Sequence, residues 1–215
     1  MIISKNLKKE LKKYGNKIDI PKFKIPLDPQ KFYEDFGLLV HPRTNEPVRK
    51  LTPYQYQIWK DGFSHKYRLV IKSQKVGVTT SCLMEDFQKA LTTCKGKEIL
   101  IIGQTKDHAK EHLYTLRKMI QSSVKYRSYL IDKPTEFLLT DEVTKVMRLY
   151  IHNPDNPARP TRIMALGPRA GSIWSWKNVA HIHLSDIAAA TSIDHSELFG
   201  AAFSRLAIAF LTVID

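Results

Sequence analysis

Two hydrophobic periods alternate along this chain. Glu98–Gly103 reads EILIIG, a continuous apolar run that suits a parallel strand covered on both faces. Before it, Leu83, Phe87, Ala90 and Leu91 fall on one face at helical spacing; after it, Ala109, Leu113, Leu116 and Ile120 do the same. Tyr67–Lys72 and Val179–Asp186 are further β-like runs, and the second ends in an acid. Val146–Ile151 and Thr161–Leu166 alternate and predict a pair of strands, with the turn signal Asn153-Pro154-Asp155-Asn156-Pro157 between them. Thr52 as N-cap and Pro53 at the first helical position open a short aromatic helix over 53–63. Residues 167–178 read as a loop, 195–207 as a helix and Phe210–Ile214 as a last strand. Strands alternating with helices predict an α/β fold, a mostly parallel sheet with helices on both faces.

Composition narrows this. With 215 residues and 43% hydrophobic content, the chain can bury the core of one sizeable domain and is too short for two catalytic domains in series. No apolar run approaches the roughly 20 residues that span a bilayer. The start, Met1-Ile2-Ile3-Ser4-Lys5, has no apolar leader. Cys82 and Cys94 are the only cysteines and form no CxxC pair, which argues against a disulfide framework and a cysteine zinc site. A reducing cytoplasm and no membrane are expected.

Charge changes the picture. Lys plus Arg is 34 against 21 acids, a net +13. Such an excess favours a polyanion, because each neutralised phosphate releases counterions. The excess is uneven: segment 1–24 carries eight lysines against Glu10 and Asp19. Residues 1–47 read as a basic arm and lead-in, broken by Pro21, Pro26 and Pro29 and ending in a loop from His41 to Pro47; 48–215 read as the domain.

Three groups carry candidate chemistry. Lys72-Ser73-Gln74-Lys75-Val76-Gly77-Val78-Thr79-Thr80 lies between a strand and a helix, where backbone amides and the helix dipole favour a phosphate. Against G-x-x-x-x-G-K-[ST], Gly77 and Thr79 fit; Lys72 replaces the first glycine and Val78 the usual lysine. Lys75 can supply the cation from inside the loop, and Thr79 a hydroxyl to Mg²⁺. Asp186, at a strand end, is the expected partner for that ion; a turn or helix-cap aspartate is the plainer reading. In Leu51-Thr52-Pro53-Tyr54-Gln55, the Gln55 amide can read an adenine edge, while Tyr56 and Trp59 read as packing residues.

The order of these parts resembles the ATPase domain of the terminase large subunit, the DNA-packaging motor of tailed viruses, among the helicase-like P-loop ATPases. Gly103-Gln104-Thr105 resembles the segment after the second strand, and Gly171-Ser172-Ile173-Trp174-Ser175-Trp176 the Gly/Ser loop before the acidic strand. The resemblance implies a P-loop NTPase three-layer sandwich that binds ATP and Mg²⁺, with Lys75 and Asp186 catalytic. Lys72, Ser73, Gln74, Lys75, Val76, Gly77, Val78, Thr79, Thr80 and Gln55 would hold the nucleotide, and Thr79 and Asp186 the metal. It implies double-stranded DNA, a small terminase subunit and a portal as partners, and a homo-oligomer at full length. The setting would be the cytoplasm of a host bacterial or archaeal cell.

Departures accompany it. The family's glutamate after the strand-end aspartate is Ile187 here, with Asp194 or Glu197 as substitutes, and Arg169 stands before the Gly/Ser loop in place of an arginine within it. The last strand is expected to insert between the two nucleotide-binding strands. The chain stops at Asp215, so the coupling motif and nuclease domain would lie beyond, as in a fragment. Two other readings stay open: a helicase-like DNA-remodelling ATPase, and a basic DNA-binding module with a relic P-loop. His181 and His183 share a strand face without further zinc ligands in view. Trp174 and Trp176 read as loop packing or as stacking surfaces for bases.

Overall fold

The computed structural model describes residues 23–37, 39–40, 47–48, 50–71, 77–131, 147–187, 194–205 and 210–214. The basic segment 1–22 and the loop residues Lys72, Ser73, Gln74, Lys75 and Val76 lie outside them. Helices are α1 (Pro29–Phe36), α2 (Pro53–Ser64), α3 (Val78–Leu91), α4 (Lys106–Ser122), α5 (Ala170–Trp174) and α6 (His195–Arg205). Strands are β1 (Leu39–Val40), β2 (Pro47–Val48), β3 (Tyr67–Val70), β4 (Glu98–Gly103), β5 (Met147–Ile151), β6 (Thr161–Leu166), β7 (Val179–Ser185) and β8 (Phe210–Ile214).

The main sheet has the order β3-β8-β7-β4-β6-β5, and only the β5–β6 pairing in it is antiparallel. β1 and β2 form a separate antiparallel pair. β8 stands between β3 and β7, as the sequence led us to expect.

Alternation along the central strands divides the core. Ile99 and Ile101 of β4 and Ile163 and Ala165 of β6 face one side, under α1–α4. Leu100, Ile102, Met164 and Leu166 face the other, under α5 and α6. Every β4 residue is buried, which is why its sequence is apolar from Ile99 onward; Glu98, at its start, pairs with Arg162. The result is a three-layer α/β sandwich.

The first layer is closed by aromatic rings. Phe32 and Phe36 of α1 pack on Phe87 of α3 and on Tyr126, with centroids 5.0–6.2 Å apart. Each buried ring contributes about 1.5–3 kcal/mol relative to exposure. Asp28 caps α1, accepting from the Lys31 amide at 2.9 Å, and Pro29 occupies the first turn. The lead-in is thus part of the core from α1 onward. α2 begins as the sequence indicates, with a full capping box between Thr52 and Gln55. The expected loop at 167–178 differs, containing the one-turn α5, because Ile173 buries itself against the second core.

Candidate functional site

The register brings the chemistry to one edge. Val70 of β3 and Ser185 of β7 both pair with Ile214 of β8. Their carboxyl ends therefore stand level, about 10 Å apart across the inserted strand. Gly103, the last residue of β4, pairs with Ser185, and Ile102 with Leu166 of β6. The segments carrying Gly77, Thr105, Arg169 and Asp186 all leave the sheet at this carboxyl edge, where open α/β sheets bind ligands.

Gly77 begins α3 in the left-handed region, at φ 76°. A Cβ there would stand 2.6 Å from Gln55 Nε2, so the position requires glycine in both conformation and space. Glycine also brings no capping side chain to the first amides of α3, the groups an anion would take. Gln55 is held against this turn by its capping box: the Thr52 amide donates to Gln55 Oε1 at 3.0 Å, and the Gln55 amide to Thr52 Oγ1 at 3.4 Å. The Gly77 carbonyl accepts from both the amide and the hydroxyl of Ser81. Val78 is buried, while Thr79 and Thr80 are half-buried in the first turn.

Asp186 follows β7 with φ 52°, a left-handed conformation that aspartate tolerates better than most residues. The turn aims the carboxylate at the edge and sends Ile187 into the second core, beside Leu198 and Ala201. No carboxylate comes from position 187. Asp194 is engaged elsewhere, accepting from the Glu197 amide at 3.0 Å at the start of α6. Arg169 is exposed.

Three residues here escape the motif reading. His112 Nε2 lies 3.0 Å from Ser185 Oγ, and Ser185 Oγ donates to Asp186 Oδ2 at 3.0 Å. His108 Nε2 stands 3.8 Å from the same carboxylate oxygen. The two rings, one helical turn apart on α4, have centroids 4.3 Å apart. Burial, and then the neighbouring charges of His183 and His108, pull His112 down to about 4. The spacing His108-x-x-x-His112 was the available signal.

Beneath the edge runs a buried charged seam. β4 pairs Ile99 with His181 and Ile101 with His183, so both histidines face α3. His183 Nδ1 is 2.7 Å from Asp86 Oδ2, and His181 Nε2 is 3.0 Å from Asp86 Oδ1. Lys89 Nζ lies 2.6 Å from Glu85 Oε1 and 3.5 Å from His181 Nδ1. Arg68 of β3 reaches Glu85 Oε2 at 2.7 Å. Burial alone would raise Asp86; the imidazoles of His183 and His181 more than offset it and hold the carboxyl below its usual range. Glu85 is held low in the same way by Lys89 and Arg68. Burial and the Lys89 charge draw His181 down to about 4. These histidines are core residues, as expected of a shared strand face. Trp176 is also buried, with Arg148 5.2 Å from its ring, whereas Trp174 is exposed.

Among the described residues no helix is long and apolar enough to cross a membrane. No protein-family model matches the sequence, and no curated protein matches it. Solved structures do. The large terminase of bacteriophage HK97 superposes with a TM-score of 0.60 at 14% identity, over 87% of this chain and 37% of that one. An arginine-to-alanine mutant of the large terminase ATPase domain of Thermus phage P74-26 superposes with a TM-score of 0.50 at 13% identity, over 86% of this chain and 68% of that one. This chain spans well under half of the HK97 protein. The six-stranded sheet, its inserted last strand and its flanking helices therefore have the fold of a phage large-terminase ATPase domain.

Proposed function

We propose that this chain binds ATP with Mg²⁺ at the carboxyl edge of the sheet and hydrolyses it as the ATPase unit of a terminase-like DNA-packaging motor. One observation carries the reading: β3 and β7 end level on either side of β8, which sets the glycine turn before α3 and Asp186 on one edge. The residues fit the nucleotide. Gly77, with no Cβ, lets Gln55 Nε2 lie close against the turn, and α3 begins without a capping side chain.

In this reading the amides from Ser73 to Thr80 and the ammonium of Lys75 hold the phosphates, with Lys72 adding positive charge. Gln55 recognises the adenine edge through its Nε2, its Oε1 being engaged by Thr52. Thr79 and Asp186 hold Mg²⁺, which when bound would neutralise charge on the phosphate oxygens. Double-stranded DNA is the fitting polyanion for a chain of net charge +13. A small terminase subunit, a portal and further copies of the chain are the partners of such a motor.

Ile187 favours a second reading. Its side chain lies in the second core, so the water-orienting carboxylate of a hydrolase must come from elsewhere or be missing. If it is missing, the chain holds nucleotide without turnover; a basic DNA-binding module with a relic P-loop would instead show no nucleotide effect.

Titration with Mg·ATP, together with phosphate release, tests both. The motor reading expects binding that weakens at least about tenfold in Lys75→Ala, and turnover that falls by about 10² in Asp186→Asn. Binding without turnover selects the reading in which the water-orienting carboxylate is missing. No binding overturns the nucleotide assignment, and turnover intact in Asp186→Asn overturns the metal assignment.

A further inference from the structure

We propose that His108, His112 and Asp186 form a binding site for a borderline first-row divalent cation, Zn²⁺ or Co²⁺. The site needs no nucleotide; it rests on the proposed function only in sharing Asp186 with the Mg²⁺ assignment.

The geometry comes from two elements. His108 and His112 are one turn apart on α4 and present their rings together. Asp186 arrives from the end of β7 in its left-handed turn. One ligand atom from each residue lies within 4.8 Å of the others. Zinc binds imidazole nitrogen and carboxylate oxygen at about 2.0–2.2 Å in a tetrahedron, so its donors stand about 3.3–3.6 Å apart. Closing the widest pair, at up to 4.8 Å, takes a little over about 1 Å, shared between rotations of the two histidine side chains and the carboxylate. His108 and Asp186 are 21% and 30% exposed, which leaves an entry path and an open coordination position.

The donor chemistry selects the ion. Two imidazoles and one carboxylate suit zinc and its neighbours, whereas Mg²⁺ prefers oxygen and water. The surroundings favour ligation on one side and limit it on the other. Ser185 Oγ, itself buried, donates to Asp186 Oδ2 and orients the carboxylate. The inner nitrogen of His108, Nδ1, is buried without a hydrogen-bond partner among the described residues, beside the backbone of Gly103. It lacks the acceptor that usually raises a ligand's basicity, so the affinity expected is micromolar in order.

The test uses the untagged chain in metal-stripped buffer without nucleotide. Co²⁺ titration is expected to give visible d–d absorption that saturates at one ion per chain. Zn²⁺ should abolish the absorption, and a roughly hundredfold excess of Mg²⁺ should leave it. His108→Ala, at a partly exposed position, and Asp186→Asn should each weaken Co²⁺ binding at least about tenfold. Zn²⁺ should raise the melting temperature of the wild type and not of His108→Ala. No absorption, equal affinity in both variants, or displacement by equimolar Mg²⁺ overturns the site. Mg·ATP binding measured on the same preparation separates the two assignments: its absence beside intact Co²⁺ binding sinks the nucleotide reading and leaves the metal site standing.

Discussion

Replacing Lys89 by methionine exposes how the core is held. Lys89 is fully buried, with its ammonium 2.6 Å from Glu85 and 5.4 Å from the centre of the Phe63 ring. Two cations, Arg68 and Lys89, face two carboxylates, Glu85 and Asp86, so the seam is balanced before the imidazoles are counted. Lys89→Met keeps the length and apolar stem of the side chain but strands a negative charge where water cannot reach it. Breaking a buried pair in this way costs about 3–5 kcal/mol. For a domain of this size, that lowers the melting temperature by roughly 10 °C or more. The double variant Glu85→Gln/Lys89→Met removes one charge of each sign and restores the balance, and the new amide oxygen can still accept from Arg68. It is expected to recover most of the loss. Urea unfolding followed by tryptophan fluorescence reads the effect close by, since Trp59 Nε1 donates to Gln88 Oε1 at 2.7 Å on the same helix. A loss below about 1 kcal/mol in Lys89→Met, or a double variant less stable than the single, would refute the charge-balance argument.

Three further outcomes follow from the same contacts. Stability should fall as pH drops from about 6.5 to 4, because unfolded His181 and His152 take up protons that the native forms, both drawn down to about 4, refuse. Below that window the Asp86 and Glu85 contributions are lost as well; His181→Gln should flatten the first part of a urea-midpoint profile against pH, and an unchanged slope would contradict the assignment. Gly62→Ala would drive a methyl group onto Glu85 Oε1 and to 2.7 Å from Arg68 Nη1. It should cost about 1–3 kcal/mol in calorimetry by overpacking the α2–α3 contact. Gly77→Ala, in a left-handed turn against Gln55, should cost about 1–2 kcal/mol and abolish detectable Mg·ATP binding while the circular dichroism stays native; full binding would remove the turn from the site.

The architecture was legible where burial imposes a simple period. β4 is apolar from Ile99 onward because it is covered on both faces, and α4 shows its stripe because one face is wet. Thr52 and Pro53 announced α2 through local capping chemistry, which needs no tertiary information. α3 was only half legible. Leu83, Phe87, Ala90 and Leu91 gave its apolar face, yet Glu85, Asp86, Gln88 and Lys89 are equally buried. A set of charged residues inside a helix reads as a solvent face until the opposing strand supplies His181 and His183, and that pairing depends on sheet order. The same holds for His108 and His112, whose partner Asp186 is 74 or more positions away along the chain. α5 was missed because one buried residue, Ile173, fixes a single turn without any period.

The seam also accounts for the position of the edge residues. Buried ion pairs are weak sources of stability compared with apolar packing, and their better-attested use is to fix register. Side chains of a strand alternate faces, so a one-residue slip of β7 would exchange its two sets. His181, His183 and Ser185 would then meet the apolar cluster of Ile173, Leu198 and Ala201, with their polar atoms unpaired. Ile182 and Leu184 would at the same time be pressed against Asp86 and Lys89. Each buried polar group left without a partner costs about 1–3 kcal/mol, and several would be lost at once. An all-apolar β7 carries no comparable penalty, because both cores accept aliphatic side chains. The charged residues of α3 therefore hold β7 in the one register that brings Ser185 level with Val70 and Gly103. That register places Asp186 at the carboxyl edge, so a chemically unremarked stretch of core decides where the candidate site's carboxylate stands.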